Sequence, residues 1–269
     1  MHKREFRELM CSMLLGDGCL SYGKDPGVGR RGKPKPHDVF FGLNHSVNQT
    51  DYALWKANLI DKIFIDKKLQ RKCTYSKTKK IDKKYNKVHH GLYVKFRWST
   101  YLRRLRKWTY IQLAEKQHLK NIEYLLKNTT SPLHLAIWFM DDSGEKRKMR
   151  KSVRGTILGY DNPSYELYTY GYTEGQHNII KDWFKRVYGV DPKIYISSKH
   201  RPEACRYLKF SVEDSRKIFE VCWPYFSQIN SMKDKFWLSF AKYKPEILET
   251  PEKVDNIVQT TTSTEGLGN

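Results

Sequence analysis

Two segments of this 269-residue chain end alike. Met10-Cys11-Ser12-Met13-Leu14-Leu15-Gly16-Asp17-Gly18 and Leu135-Ala136-Ile137-Trp138-Phe139-Met140-Asp141-Asp142-Ser143-Gly144 are apolar helical runs that stop on a carboxylate, with glycine at once or one residue later. Asp17 and Asp142 stand 125 positions apart, close to half the chain. A period that long signals a duplicated unit and not a solenoid. Small residues before each acid (Cys11 and Ser12 in one run, Ala136 in the other) allow two helices to approach closely. Packed about a pseudo-two-fold axis, the two helices would set Asp17 and Asp142 side by side.

The surrounding pattern repeats as well. Apolar spacing predicts a helix over 3–16, strands over 19–23 and 39–45, and a helix over 49–64. Strands near 71–79 and 90–98 follow, then helices over 101–113 and 115–127. Residues 25–37, rich in Gly, Pro, Lys and Arg, read as a loop. Ser131-Pro132 opens the next helix, with Ser as cap and Pro in the first turn. Strands near 153–159 and 165–172, a helix over 174–188, strands near 192–198 and 205–211, and helices near 213–221 and 225–240 complete the second half. The expected fold class is α+β, two pseudo-symmetric αββαββα halves with antiparallel sheets, over 1–128 and 129–244. Residues 245–269, poor in apolar side chains, are expected to be a disordered tail.

Fifty Lys and Arg against 29 Asp and Glu give a net charge of +21. Such an excess repels itself unless a polyanion is the partner, and nucleic acid is the first candidate. No apolar stretch approaches the roughly 18–20 residues that span a bilayer, so no membrane partner is expected. The N-terminus does not read as a signal peptide. Five scattered cysteines without a C-x-x-C pair point to a reducing compartment, an organelle or a bacterial cytoplasm.

Strand faces carry the charge outward. Leu92, Val94, Phe96 and Trp98 alternate with Tyr93, Lys95 and Arg97, and Ile194 and Ile196 with Lys193, Tyr195, Ser197 and Lys199. A basic sheet face of this kind can lie in a DNA major groove and meet phosphates and base edges. Charge runs beside the strands, among them Lys77 and Lys79 in one half and Lys146, Lys148 and Arg150 in the other, are expected in hairpins of the same sheets and in contact with phosphates. Two adjacent carboxylates on such a surface repel unless a cation sits between them, and Mg²⁺ takes few carboxylates and keeps room for phosphate oxygens. The pattern is that of metal-assisted phosphodiester hydrolysis. Asp141 is turned about 100° from Asp142 on the helix and reads as a supporting acid. His45, His89 and His90 have no partners at metal-ligand spacing, which makes an HNH-type nuclease a poor fit.

The two segments resemble the motifs of the LAGLIDADG homing endonucleases, of the two-motif, single-chain, intron-encoded type, and the repeated element order agrees with that family to about residue 240. The resemblance implies that the motif helices form the interface between halves and that Asp17 and Asp142 hold divalent metal, Mg²⁺ with Mn²⁺ or Ca²⁺ as substitutes. The same resemblance implies that backbone at Gly16 and the acid Asp141 belong to that metal site. It further implies two sheets that form a saddle on double-stranded DNA, both strands cut across the minor groove, and short 3′ overhangs that serve intron mobility. A basic residue near each centre is part of the pattern, and by position these are Lys116 and Lys235. Gly16, where the motif often has Ala, reads as a harmless change, and Ser143 stands where the motif has Gly. A monomer is expected. The rival readings are an intron-RNA maturase and a catalytically silent DNA binder; retention of both acids favours the nuclease.

Overall fold

The computed structural model describes residues 2–22, 38–65, 72–82, 87–114, 117–129, 131–152, 157–197 and 205–248. The expected loop over 25–37 and position Lys199 fall outside the described residues. The chain opens with α1 (His2–Leu15), β1 (Cys19–Tyr22), β2 (Val39–Ser46), α2 (Thr50–Ile65), β3 (Thr74–Asp82), β4 (Lys87–Arg97) and α3 (Ser99–Thr109). A small hairpin, β5 (Tyr110–Ala114) and β6 (Gln117–Lys120), leads to α4 (Ile122–Lys127). The order then restarts with α5 (Pro132–Asp142), β7 (Ser143–Lys146), β8 (Met149–Lys151), β9 (Ile157–Tyr160), β10 (Ser164–Leu167), α6 (Glu174–Tyr188), β11 (Lys193–Ile196) and β12 (Arg206–Lys209). Helices α7 (Val212–Phe226), α8 (Asn230–Lys235) and α9 (Trp237–Tyr243) close it.

Two four-stranded antiparallel sheets run β1-β2-β4-β3 and β7-β10-β12-β11. Each motif helix feeds an edge strand, β1 or β7, and the two orders correspond once the separate β8–β9 hairpin, inserted between β7 and its partner β10, is set aside. Registers agree as well. Cys19, two residues past Asp17, pairs with Gly42, and Gly42 with Lys95; Gly144, two past Asp142, pairs with Glu166, and Glu166 with Lys209. Lys95 and Lys209 therefore hold the same station in the two sheets.

The helices cover one face of each sheet. Phe6 of α1 meets Phe64, Phe96, Trp98 and Tyr101, while Phe139 of α5 meets Tyr165, Phe184 and Phe210. Helix α1 packs on α5, and nearly every residue of Met10–Leu15 and Leu135–Met140 is buried. Burying an aliphatic or aromatic side chain contributes about 1.5–3 kcal/mol, so this joint is a large share of the core. Local signals fix the ends: Ser131 caps α5 with Pro132 behind it, and Thr173 and Gln176 form a capping box on α6.

The structure departs from the sequence reading in several places. Residues 110–114 and 117–120 pair as antiparallel strands and are not parts of two helices. Tyr110 leaves α3 extended because its ring docks under β1, where its hydroxyl receives the Leu20 N–H and Arg106 stacks on it and on Tyr22. The last helix breaks at Ser227–Ile229 and at Phe236, while α7 runs on through Pro224. Cross-strand partners share a face, and Lys77 pairs with Leu92 and Lys79 with His90. Both lysines thus lie on the face opposite Tyr93, Lys95 and Arg97; Thr74, Ser76, Thr78 and Lys80 share that outward face instead. Lys148 and Arg150 belong to the separate β8–β9 hairpin and face Asp161. Ile196 is 49% exposed, because β11 is an edge strand that outruns its helical cover. In the expected tail, Pro245–Ile247 forms a 3₁₀ turn whose Ile247 packs on the core; 249–269 lie outside the described residues.

Gly16 is not a harmless variant of alanine. A Cβ there would lie 2.3 Å from Asp141 Oδ2 and 2.5 Å from Asp141 Cβ, inside any tolerable contact, because Asp141 crosses from α5 to fill that space. Gly16→Ala is expected to destabilise the chain by about 1–3 kcal/mol, read by chemical denaturation; an unchanged midpoint would show that the helices can slide apart without cost.

Candidate active site at the ends of the motif helices

Asp17 and Asp142 end the two packed helices, and each end is clasped by a lysine. Lys120, on β6, donates to the Gly16 carbonyl at 3.0 Å. Lys235, at the end of α8, donates to the Met140 carbonyl at 2.6 Å and lies 3.4 Å from the Asp141 carbonyl. These carbonyls are orphans at helix C-termini, where a cation is favoured. Lys235 is the basic residue expected from position. Lys116 lies outside the described residues, and Lys120 occupies the corresponding place in the first half. It is held there by the β5–β6 hairpin, in which Tyr110 pairs with Lys120. Lys235 is placed by cross-ties: Asp51 of α2 accepts the Ser231 N–H of α8, and Arg147 donates to the Asp234 and Lys235 carbonyls.

Asp141 does not accompany Asp142. Its side chain is fully buried, paired with the equally buried Lys56 of α2. Oδ1 also accepts the Tyr52 hydroxyl at 2.8 Å, and Oδ2 the Asp17 N–H at 3.2 Å. Lys56 and the hydrogen bonds hold the Asp141 carboxyl below the ordinary range despite its burial. The lysine ammonium also lies 3.1 Å from His45 Nε2, and His45 Nδ1 lies 3.7 Å from Asp17 Oδ2. Burial and the neighbouring Lys56 push His45 down to about 4, so it is neutral at physiological pH. The histidine that sequence left without partners is thus buried beside an acid of the site; its neighbours sit 11 and 28 positions away, where no spacing rule would find them.

Asp142 lies in a cavity of about 290 Å³ with Lys120, His118 and Tyr168–Tyr172. Burial, then the charges of Asp141 and Asp17, raise its carboxyl to about 8. Asp17 is shifted upward by the same causes. Burial brings Lys235 down to about 8 and lowers Lys120 also. Three carboxylates and two lysines therefore meet at one point on a basic surface. The oxygen ligands on offer, Asp17 and Asp142, suit a hard divalent cation, whose charge would offset the burial and the repulsion that raise the Asp142 carboxyl. The compact trio of donor atoms, Asp17, His45 and Asp141, within 4.8 Å of one another, is a poorer fit: Asp141 already has its counter-cation in Lys56.

Beside this point lie the outward sheet faces. The first carries Tyr93, Lys95, Arg97 and Asn44; Lys95 sits over the Phe40 ring, and only Gly42 leaves room for the Tyr93 hydroxyl. The second carries Lys146, Lys193, Tyr195, Tyr207 and Lys209, with Ser197 bonded to the Cys205 carbonyl just past the strand. Lys209 and Tyr207 were not singled out from sequence, although their alternation with Leu208 was visible there.

A carboxyl held neutral in the folded chain but ionised in the unfolded one weakens folding as pH rises. Without divalent cations, stability should therefore fall between pH 6.5 and 7.5 through Asp142. Below 6.5, His45 pulls the other way; above about pH 7, Lys235, which loses its proton near 8 in the fold but stays charged in the unfolded chain, begins to oppose the fall. Denaturant titrations in EDTA should show this fall, and Asp142→Asn should flatten it. An unaltered slope in that variant would place the neutral group elsewhere.

The family model of the LAGLIDADG DNA endonucleases matches residues 7–218. In fold, the chain is similar to the homing endonuclease I-WcaI bound to its DNA recognition sequence, with TM-score 0.58 and 15% identity over 87% of this chain and 86% of that one. It is similar also to the meganuclease I-SmaMI bound to uncleaveable DNA with a TTCT central four, with TM-score 0.52 and 11% identity over 97% and 98%. Protein RecA of Mycolicibacterium chitae is 24% identical over 251 residues, and Protein RecA of Mycobacterium gastri 25% over 252. This chain spans about half the length of those two proteins, 50% and 51%. With both motif helices, their terminal acids and the repeated sheets inside the matched region, the chain belongs to the LAGLIDADG DNA endonuclease family, whose members are metal-dependent, site-specific DNA-cleaving enzymes.

Proposed function

We propose that the chain acts as a monomer on one long, asymmetric double-stranded DNA site, cuts both strands across the minor groove to leave short 3′ overhangs, and thereby promotes the mobility of its own intron. The observation that carries this reading is the convergence of Asp17 and Asp142, with Lys120 and Lys235, at the joined ends of the two motif helices. Unlike outward faces on the two sheets support recognition of two unlike half-sites, in a saddle over the major groove. Tyr93, Lys95 and Arg97 would read one, and Lys193, Tyr195, Tyr207 and Lys209 the other.

Asp17 and Asp142 would hold Mg²⁺, with Mn²⁺ or Ca²⁺ as substitutes, which supplies charge stabilisation for the scissile phosphate and the leaving oxygen. The chain's own groups do the rest. Lys120 and Lys235 stand near the acids with lowered proton affinity. A lysine near 8 can steady the phosphate and exchange a proton with water near neutral pH. The buried helix ends keep both lysines from swinging away.

The test is digestion of genomic DNA from an intron-free relative in Mg²⁺ or EDTA, followed by sequencing of the new ends. One recurrent, Mg²⁺-dependent break with short 3′ overhangs is expected, lost in Asp17→Asn and in Asp142→Asn. Tight DNA binding without a break would overturn cleavage in favour of a silent binder, and binding confined to intron RNA would favour a maturase. Salt titrations check the interface separately: Lys95→Ala and Lys209→Ala should each reduce the slope of log K against log salt by about 0.9, whereas Lys77→Ala, on the opposite face, should leave it unchanged.

A further inference from the structure

The two acids sit in the same backbone position but in different surroundings. Sheet register and helix starts give the correspondence. Leu43 pairs with Val94 as Leu167 pairs with Leu208, so His45 answers to Thr169. Both lie five residues before the first residue of the following helix, Thr50 or Glu174, and Lys56 and Ile180 are the seventh residue of those helices. Asp141 answers to Gly16, each standing one residue before the terminal acid. The set His45, Lys56 and Asp141 thus faces Asp17, whereas its counterparts are Thr169, Ile180 and Gly16. Thr169 instead bonds His177, and Ile180 is plain core.

The chemistry of that set is directional. An ammonium offers donors only. Lys56, fully buried and ion-paired with Asp141, must therefore donate to His45 Nε2. That nitrogen keeps its lone pair, so the neutral ring carries its proton on Nδ1, the atom that lies 3.7 Å from Asp17 Oδ2. A protonated Nδ1 cannot ligate a metal, but it can donate to a carboxylate. At 3.7 Å the contact is longer than a hydrogen bond, and Asp17, with a side chain 43% exposed, is free to close it; such contacts tighten in the substrate complex.

We propose that His45, its tautomer fixed by Lys56, is a positioning residue for Asp17 with no equivalent at Asp142, so that the two DNA strands are cut by unequal centres. The proposal rests on the cleavage reading above. Its first test does not: ¹⁵N–¹H spectra of the metal-free protein, with His45 identified by its loss in His45→Phe, should show this ring protonated on Nδ1 and not on Nε2. The opposite tautomer overturns the proposal whether or not DNA is cut. The second test uses supercoiled plasmid carrying one target, beside a linear duplex of the same target with each strand end-labelled in turn. His45→Phe should slow one strand at least tenfold more than the other and accumulate nicked circles at unchanged DNA affinity. His45→Asn, whose amide nitrogen overlays Nδ1, should restore much of the lost rate. Equal slowing of both strands, or no effect of Phe, would overturn the proposal; a wild-type protein that cuts neither strand would instead sink the cleavage reading, leaving the spectra to decide the tautomer.

Discussion

The buried ion pair between Asp141 and Lys56 is the contact on which the centre of this molecule depends. It joins the second motif helix to α2 of the first half. Neither charge has water to fall back on, and a buried pair that loses one partner costs about 3–5 kcal/mol. The pair also fixes its surroundings. Asp141 reaches over Gly16, accepts the Asp17 backbone N–H and the Tyr52 hydroxyl, and so sets how closely α1 and α5 approach. The Tyr52 hydroxyl also lies 3.0 Å from the Ile137 carbonyl, so its one proton is shared between that oxygen and Asp141, and Tyr172 donates to the Leu15 carbonyl. Each half thus pins the motif helix of the other, and the two terminal acids have little freedom to move apart.

That rigidity explains why a site this unfavourable to itself survives. Raised carboxyls and a lowered lysine are the mark of groups that the fold forces together against their mutual repulsion and against burial. A small domain could relax by separating the helix ends. Here the aromatic cores on both sides, Phe6 with Phe96 and Phe139 with Phe210, hold the helices from behind, and the lysines occupy carbonyls at both helix ends that water would otherwise take. The repulsion is stored where a cation and a phosphate can relieve it.

How much of this was readable beforehand follows from the range of each interaction. The motif helices, the position of an acid at each of their ends and the outward alternation of Tyr93, Lys95 and Arg97 are local patterns and lie where expected; the first sheet strand of the second half does not, being β7 directly after α5 instead of a strand near 153–159. Lys235 was reachable by its place in the second half. Lys120 was not, because the sequence around it shows helical spacing, and 110–114 pairs with 117–120 only when Tyr110 docks under β1. Lys77 and Lys79 were misassigned for a related reason: a charge run does not say which face it occupies until register fixes it. His45 and Lys56 were invisible. A buried lysine in an amphipathic helix looks like one of 50 basic residues until the acid that neutralises it, 85 positions away, is seen across the interface.

The same contact shows what a single chain permits that a symmetric pair of identical subunits does not. In an identical pair, an acid at the position of Asp141 would recur one residue before the other terminal acid and meet its own copy where Gly16 now stands. The 2.3 Å that separates a Cβ at Gly16 from the Asp141 carboxylate leaves no room for it. A carboxylate on one side therefore requires the absence of a side chain on the other, and a lysine on one α2-type helix requires nothing but apolar packing, Ile180, on its counterpart. Once one half took Asp141, Lys56 and His45, the other could not follow. The asymmetry of the two centres is a steric consequence of that choice, and it is built into the axis of the molecule, independent of any difference between the DNA half-sites that the sheets contact.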